Sequence, residues 1–218
     1  MKTRIVWPGG EVTGILEGEG SIGILLAHGA GTDQEHPSMT GLRHGLADGG
    51  HTVMTFNYPY TERGSKRPDR QETLLACHRA AAEHLGGMVG TVFLAGRSMG
   101  GRMGTHLAAE GLSVAGLILY AYPLHPAGKP ENLRVDQFGS ITVPMLFFQG
   151  TRDALSRMDL FEEHIALLPN AEVEILQGAG HGWRGGGWAL ETMTERYVQG
   201  SLAWIERISS GTSARPRP

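Results

Sequence analysis

Val92-Phe93-Leu94-Ala95-Gly96-Arg97-Ser98-Met99-Gly100 runs from an apolar stretch into a serine flanked by glycines, and Arg102 to Glu110 continue with helix-compatible residues. Four apolar residues leading into a turn read as a buried strand. A strand that passes sharply into a helix through G-x-S-x-G is the setting of a nucleophile elbow. The residue types have physical reasons. A serine at the tip of a tight turn presents its hydroxyl outward, at the cost of backbone strain. Gly96 and Gly100 lack side chains where helix and strand must pass closely. A glycine-rich turn whose serine merely caps a helix would carry the same letters, so the rest of the chain has to decide.

Outward from this stretch, apolar runs alternate with helical patterns. Ile22 to Ala27, Val53 to Phe56, Thr91 to Ala95, Ala115 to Tyr120, Met145 to Gln149 and Val173 to Leu176 are bounded by turn residues. They predict strands of a mostly parallel sheet buried on both faces. Helices are predicted over Ser38 to Ala47, Gly100 to Glu110, Arg157 to Leu168 and Ala189 to Ile208. A further helix starts at Asp69, where Asp69 and Glu72 have capping-box spacing, and stops at Gly86-Gly87. Thr3 to Trp7 and Val12 to Leu16, around Pro8-Gly9-Gly10, read as a leading hairpin. The alternation predicts an α/β fold with helices on both faces, and ligands at the carboxyl ends of the strands. Residues 1–208 read as one domain and 209–218 as a loose polar tail.

A serine hydroxyl needs a base to take its proton, and the base needs an orienting acid. In a sheet of this kind the expected chain order is Ser, then Asp or Glu, then His. Asp153 lies in the turn after Met145 to Gln149, and His181 lies in Gly180-His181-Gly182 after Val173 to Leu176. Alone, Asp153 could cap a helix and His181 is one of ten histidines. Together with Ser98 they have the right order and the right rim of the sheet. The oxyanion that forms during attack needs two N–H donors. One is the backbone N–H of Met99. The other comes from His28-Gly29-Ala30-Gly31, with Ala30 preferred and Gly29 in competition, while His28 orders that loop.

Composition narrows the alternatives. The chain has 218 residues, 40% hydrophobic and 19% charged, with a formal net charge of -3. That balance suits one globular domain and offers no global attraction to nucleic acid or an anionic membrane. Cys77 is the single cysteine, so no intrachain disulfide or cysteine-rich metal site can form. No apolar stretch reaches the ~18 residues of a membrane span. Without signal-peptide character at Met1 to Val12, a cytoplasmic location is expected. No cofactor is implied. Gly18-Glu19-Gly20-Ser21-Ile22-Gly23 fits G-x-G-x-x-G but precedes a strand, so no helix N-terminus would meet a phosphate. His28, Asp33, Glu35 and His36 match no metal-ligand spacing.

These residues resemble the α/β-hydrolase superfamily, and within it the small, cap-less, dienelactone-hydrolase-like predicted hydrolases. The resemblance spans about Gly23 to Ile208. It rests on Leu26 to Gly31, Gly96 to Arg102, Tyr122-Pro123-Leu124-His125-Pro126, Phe147 to Asp153 and Gly180-His181. It implies an α/β-hydrolase fold and hydrolysis through an acyl-enzyme. Dienelactone hydrolases use a cysteine nucleophile where this chain has Ser98, which favours a small carboxylic ester over a lactone. Thioesterase or peptidase chemistry would use the same relay. The broad group also includes a non-catalytic subunit of a histone-acetyltransferase assembly, so a binding scaffold is the competing reading.

Tyr58, Tyr60, Tyr122, His125 and Trp183 are candidate pocket residues, because each follows a strand end or flanks His181. Arg63, Lys66, Arg67 and Arg70 form a basic loop on the same side, read as solvated in preference to substrate-binding. The short connection from Tyr120 to Thr151 leaves no room for a large cap, so an open site for small acyl groups is expected.

Overall fold

In the computed structural model, which describes residues 1–182 and 185–211, every expected apolar run is a strand of one eight-stranded sheet. The strands are β1 (Lys2–Trp7), β2 (Gly10–Glu17), β3 (Ile22–Ala27), β4 (Thr52–Phe56), β5 (Thr91–Arg97), β6 (Gly116–Tyr120), β7 (Met145–Gly150) and β8 (Ala171–Leu176). Their spatial order is β1-β2-β4-β3-β5-β6-β7-β8. The β1–β2 hairpin pairs antiparallel and joins β4 antiparallel, and all other neighbours are parallel.

Adjacent residues in the central strands feed opposite layers, as the two-residue period of a strand requires. Leu25, Ala27, Leu94, Leu117, Leu119 and Phe147 enter one apolar layer. Ile24, Leu26, Phe93, Ile118, Tyr120 and Phe148 enter the other. Helices α3 (Gln71–Gly86), α4 (Met99–Ala109) and α5 (Met158–His164) cover the first through residues such as Leu74, Met103 and Phe161. Helices α1 (Pro37–Asp48) and α6 (Leu190–Ser209) cover the second through Leu42, Tyr197 and Trp204. Each large side chain buried in this way contributes about 1.5–3 kcal/mol. A one-residue slip of β7 would exchange the environments of Phe147 and Phe148, which fixes its register.

The chain enters the sheet's middle at β3, moves one way to β4, then returns past β3 to β5 and continues to β8. The connections through α1 and α3 lie on opposite faces. The reversal leaves a crevice beyond the carboxyl ends of β3 and β5, whose Ala27 and Gly96 are register partners.

Three local expectations are corrected. Helix α3 begins at Gln71 with Arg70 as N-cap and no side-chain cap. The Asp69 carboxylate is instead drawn away by Arg63, 2.6 Å from its Oδ1. Helix α5 ends at His164, short of Leu168. Pro169 disfavours helical geometry at the residue before it, and the chain turns so that Ile165 is fully buried. A short helix, α2 (Pro59–Glu62), stands where no helix was expected.

Between β6 and β7 the only helical piece is the 3-10 turn Phe138–Ser140, so no cap domain is inserted there. Among the described residues no helix is long and apolar enough to cross a membrane. Residues 212–218 of the expected tail lie outside the described residues.

Candidate active site

Ser98 stands between the last residue of β5 and the first of α4, at φ 50° and ψ -114°. A positive φ is costly for any residue with a Cβ. Two glycines and a ladder bond hold it there. A Cβ on Gly96 would lie 2.4 Å from the Gly101 nitrogen, and one on Gly100 would lie 2.4 Å from the Ala27 carbonyl oxygen. The Ser98 N–H donates to the Tyr120 carbonyl at 2.9 Å, tying the turn to β6.

His181 arrives from the loop after β8. The Ser98 hydroxyl donates to its Nε2 at 2.8 Å. On the ring's other side, Nδ1–H donates to both oxygens of Asp153, at 3.0 and 2.9 Å. A carboxylate only accepts, so this pairing leaves Nε2 as the acceptor facing Ser98. Asp153 sits in the turn after β7 with its side chain fully buried. Its Oδ1 accepts from the Leu155 N–H at 2.8 Å and its Oδ2 from Gln149 Nε2 at 3.1 Å. The relay is therefore fixed at both ends.

Met99 begins α4, so its N–H is one of the unpaired donors at a helix start. Exposed Ala30 shares a cleft of about 350 Å³ with Ser98 and Met99. Buried His28 braces the loop that carries Ala30. Its Nδ1–H donates to the Gly29 carbonyl at 2.8 Å and its Nε2 accepts the Tyr58 N–H at 3.3 Å. Burial pushes its pKa down to about 4, so it remains neutral and structural. A larger cleft of about 680 Å³ lies at the amino ends of the parallel strands, near Gly18, Gly20 and Thr52, with no nucleophilic group arranged in it.

The expected pocket residues are mostly elsewhere, which is a correction. Tyr58, Tyr60, Tyr122 and His125 are at most 2% exposed and do not line the cleft. Helix α2 folds Tyr58 and Tyr60 beneath the Ala30 loop, where their rings stack at 6.3 Å. The Tyr58 hydroxyl meets His78 Nδ1 at 3.0 Å. The Tyr122 hydroxyl donates to the Arg134 carbonyl at 2.7 Å and accepts from Gln137 Nε2 at 2.7 Å. His125 braces a turn, donating from Nδ1 to the Pro126 carbonyl at 2.9 Å and accepting the Arg157 N–H at Nε2. Trp183 lies outside the described residues. Lys66, Arg67 and Arg70 are exposed and off the cleft, and Arg63 is paired with Asp69.

Sequence reading passed over two contributors. Gln149 is a buried polar residue in the otherwise apolar β7, and that oddity was the available signal. Arg97, next to Ser98, donates from its guanidinium to the His181 carbonyl and so anchors the histidine loop. Burial holds its pKa below the usual arginine range, with the charge of Asp153 opposing that shift.

The chain belongs to the α/β-hydrolase family, whose model, described as an alpha/beta hydrolase domain, matches residues 21–206. Solved structures agree on the fold at low identity. An alpha-beta serine hydrolase homologue from Coxiella burnetii superposes with a TM-score of 0.73 at 20% identity, covering 92% of this chain and 96% of that one. Est1E from Butyrivibrio proteoclasticus gives 0.75 at 16%, covering 94% and 99%. A serine hydrolase without lid from Xanthomonas campestris gives 0.70 at 18%, covering 99% and 96%. The protein is thus similar in fold to lidless hydrolases, and the fold supports hydrolase chemistry.

Proposed function

We propose that the protein is a serine hydrolase that cleaves small carboxylic esters through an acyl-enzyme, with Ser98, His181 and Asp153 as its catalytic residues. The observation that carries this is the unbroken path Ser98 Oγ–His181 Nε2–His181 Nδ1–Asp153, at 2.8 Å and 2.9–3.0 Å. Ser98 Oγ attacks the ester carbonyl carbon while its proton passes to His181 Nε2. The resulting imidazolium is stabilised by the Asp153 carboxylate. Charge on the carbonyl oxygen is met by the N–H groups of Met99 and Ala30, and each such donor is worth about 3 kcal/mol in the transition state. His181 then returns the proton to the leaving alcohol. Water, deprotonated by the same nitrogen, attacks the acyl-enzyme, releases the acid and restores Ser98.

The modest, open cleft suits short acyl groups more than long lipid chains. The use of serine in place of cysteine supports an ester over the lactone of dienelactone hydrolases. A small-molecule acyl substrate in the cytoplasm, with no cofactor, nucleic acid or membrane, completes the reading. The test is labelling by a fluorophosphonate probe, followed by hydrolysis of 4-nitrophenyl esters, acyl thioesters and aminopeptide substrates. Wild-type protein should be labelled and prefer the esters, and Ser98→Ala should lose both properties. Folded wild-type protein that resists the probe would instead be a binding scaffold. Thioester or peptide preference would move the substrate while keeping the mechanism.

A further inference from the structure

The wall of the Ser98 cleft carries two arginines without counter-ions. Arg102 is four residues past Ser98 on α4, so it projects from the same helix about 6 Å further along the axis. Arg134 joins it from the segment between β6 and β7. Among the described residues, seven arginines are held in ion pairs. Arg102 and Arg134 are in none, and unlike Arg67, Arg70 and Arg152, which are also in none but are exposed and off the cleft, they line it. Their hydrogen-bond partners are neutral: Arg102 donates to Gln71 Oε1 at 2.7 Å, and Arg134 donates to the Pro123 carbonyl at 3.3 Å. A guanidinium has five N–H donors, and the buried Nε of Arg102 has no acceptor. Leaving buried donors on a cation unmatched is costly.

The two charges also sense one another. Burial first, and then the charge of Arg102, hold Arg134 below the usual arginine range. Both are pre-placed: Arg102 by its helix, and Arg134 by a backbone whose N–H donates to Leu124 and whose carbonyl accepts from Tyr122. Among the described residues the one acid in the wall, Asp69, is paired with Arg63. Two cations thus gather beside the nucleophile of a protein whose net charge is -3.

We infer that Arg102 and Arg134 bind a carboxylate on the substrate, so that the preferred ester is one bearing a second, anionic group a few bonds from the scissile carbonyl. A planar carboxylate accepts paired N–H bonds from guanidinium groups. Neutral esters lack that anchor. The inference rests on the hydrolase reading for its chemistry, but the anion site can be tested without turnover.

The kinetic test compares charged esters with their methyl-masked twins. The pairs are mono-4-nitrophenyl glutarate against methyl 4-nitrophenyl glutarate, and 4-acetoxybenzoate against its methyl ester. They place the anion on the acyl or the leaving-group side. Wild-type protein should prefer the charged member of one pair by at least about tenfold in kcat/KM. In Arg102→Gln/Arg134→Gln that ratio should fall at least about tenfold, whereas Arg4→Gln, which removes a distant charge on β1, should not move it. No preference in either pair, or an unchanged ratio in the double variant, overturns the inference. If the double variant does not fold, the wild-type ratio must drop between about 0.02 and 0.5 M NaCl, and a flat response overturns it. Independently, calorimetry on Ser98→Ala should detect glutarate and not glutaramide. Equal binding of the two overturns the anion site, whereas glutarate binding to a protein that hydrolyses no ester would sink only the hydrolase reading.

Discussion

Ser98 pays for its position with a φ of 50°. Glycine at an ordinary position costs about 0.5–1 kcal/mol relative to alanine, because the unfolded chain gains freedom. Here that order should reverse. Ser98→Gly and Ser98→Ala both lose the bond to His181, but only alanine keeps the strained Cβ, so the glycine variant should be more stable by about 1 kcal/mol in urea unfolding. Equal stability, or a more stable alanine variant, would show that the turn stores no strain. In the proposed mechanism Arg97 acts one step back from the chemistry, through the carbonyl of His181. Arg97→Met should lower kcat for a 4-nitrophenyl ester by about 10- to 100-fold, with KM moving much less and Arg97→Lys recovering part of the loss. A rise confined to KM would assign Arg97 to substrate binding.

Helix α4 shows how an element is fitted to its site. Glycine inside a helix usually costs about 1 kcal/mol against alanine, yet this helix carries Gly100, Gly101 and Gly104. The positions are not equivalent. At Gly100 an added Cβ meets the Ala27 carbonyl oxygen at 2.4 Å, which only backbone movement can relieve. At Gly104 the nearest atom is the Leu94 Cβ at 3.7 Å, an ordinary contact. Gly100→Ala should therefore destabilise by about 1–3 kcal/mol and displace Ser98, the proposed nucleophile. Gly104→Ala should stabilise by up to about 1 kcal/mol and leave hydrolysis intact. Thermal melts of the two variants check both signs, and a shared direction would contradict the packing account.

At the scale of the molecule, two buried histidines couple the area beneath the site to pH. Burial lowers His28 to about 4 and His78 to about 3, with the charge of His28 adding to the shift at His78. Both titrate near 6.5 when unfolded. Between pH 6.5 and 4 the unfolded chain therefore binds more protons than the folded one, so stability rises with pH across that window. The expected loss on acidification is on the order of a few kcal/mol, measured as the urea midpoint between pH 7 and 4.5. Both rings contact Tyr58, by hydrogen bond or edge packing, so His78→Gln should flatten the dependence. An unaltered slope in that variant would exclude His78 as a source.

The strand runs, the elbow glycines and the order Ser98, Asp153, His181 are local or sequential properties, and the amino-acid sequence by itself determined them. A two-residue period assigns faces, a missing Cβ marks a close approach, and a strand's end fixes which rim a following residue joins. Only the tertiary structure decided where side chains beyond those ends point. Tyr58, Tyr60, Tyr122 and His125 follow strand ends as Asp153 does, yet α2 and the loop contacts turn them into the interior. Arg97 is fixed by the carbonyl of His181, far along the chain, and Arg102 and Arg134 meet at one cleft only because the fold brings their segments together. Direction in a loop is set by long-range packing and hydrogen bonding, which no periodicity in the sequence records.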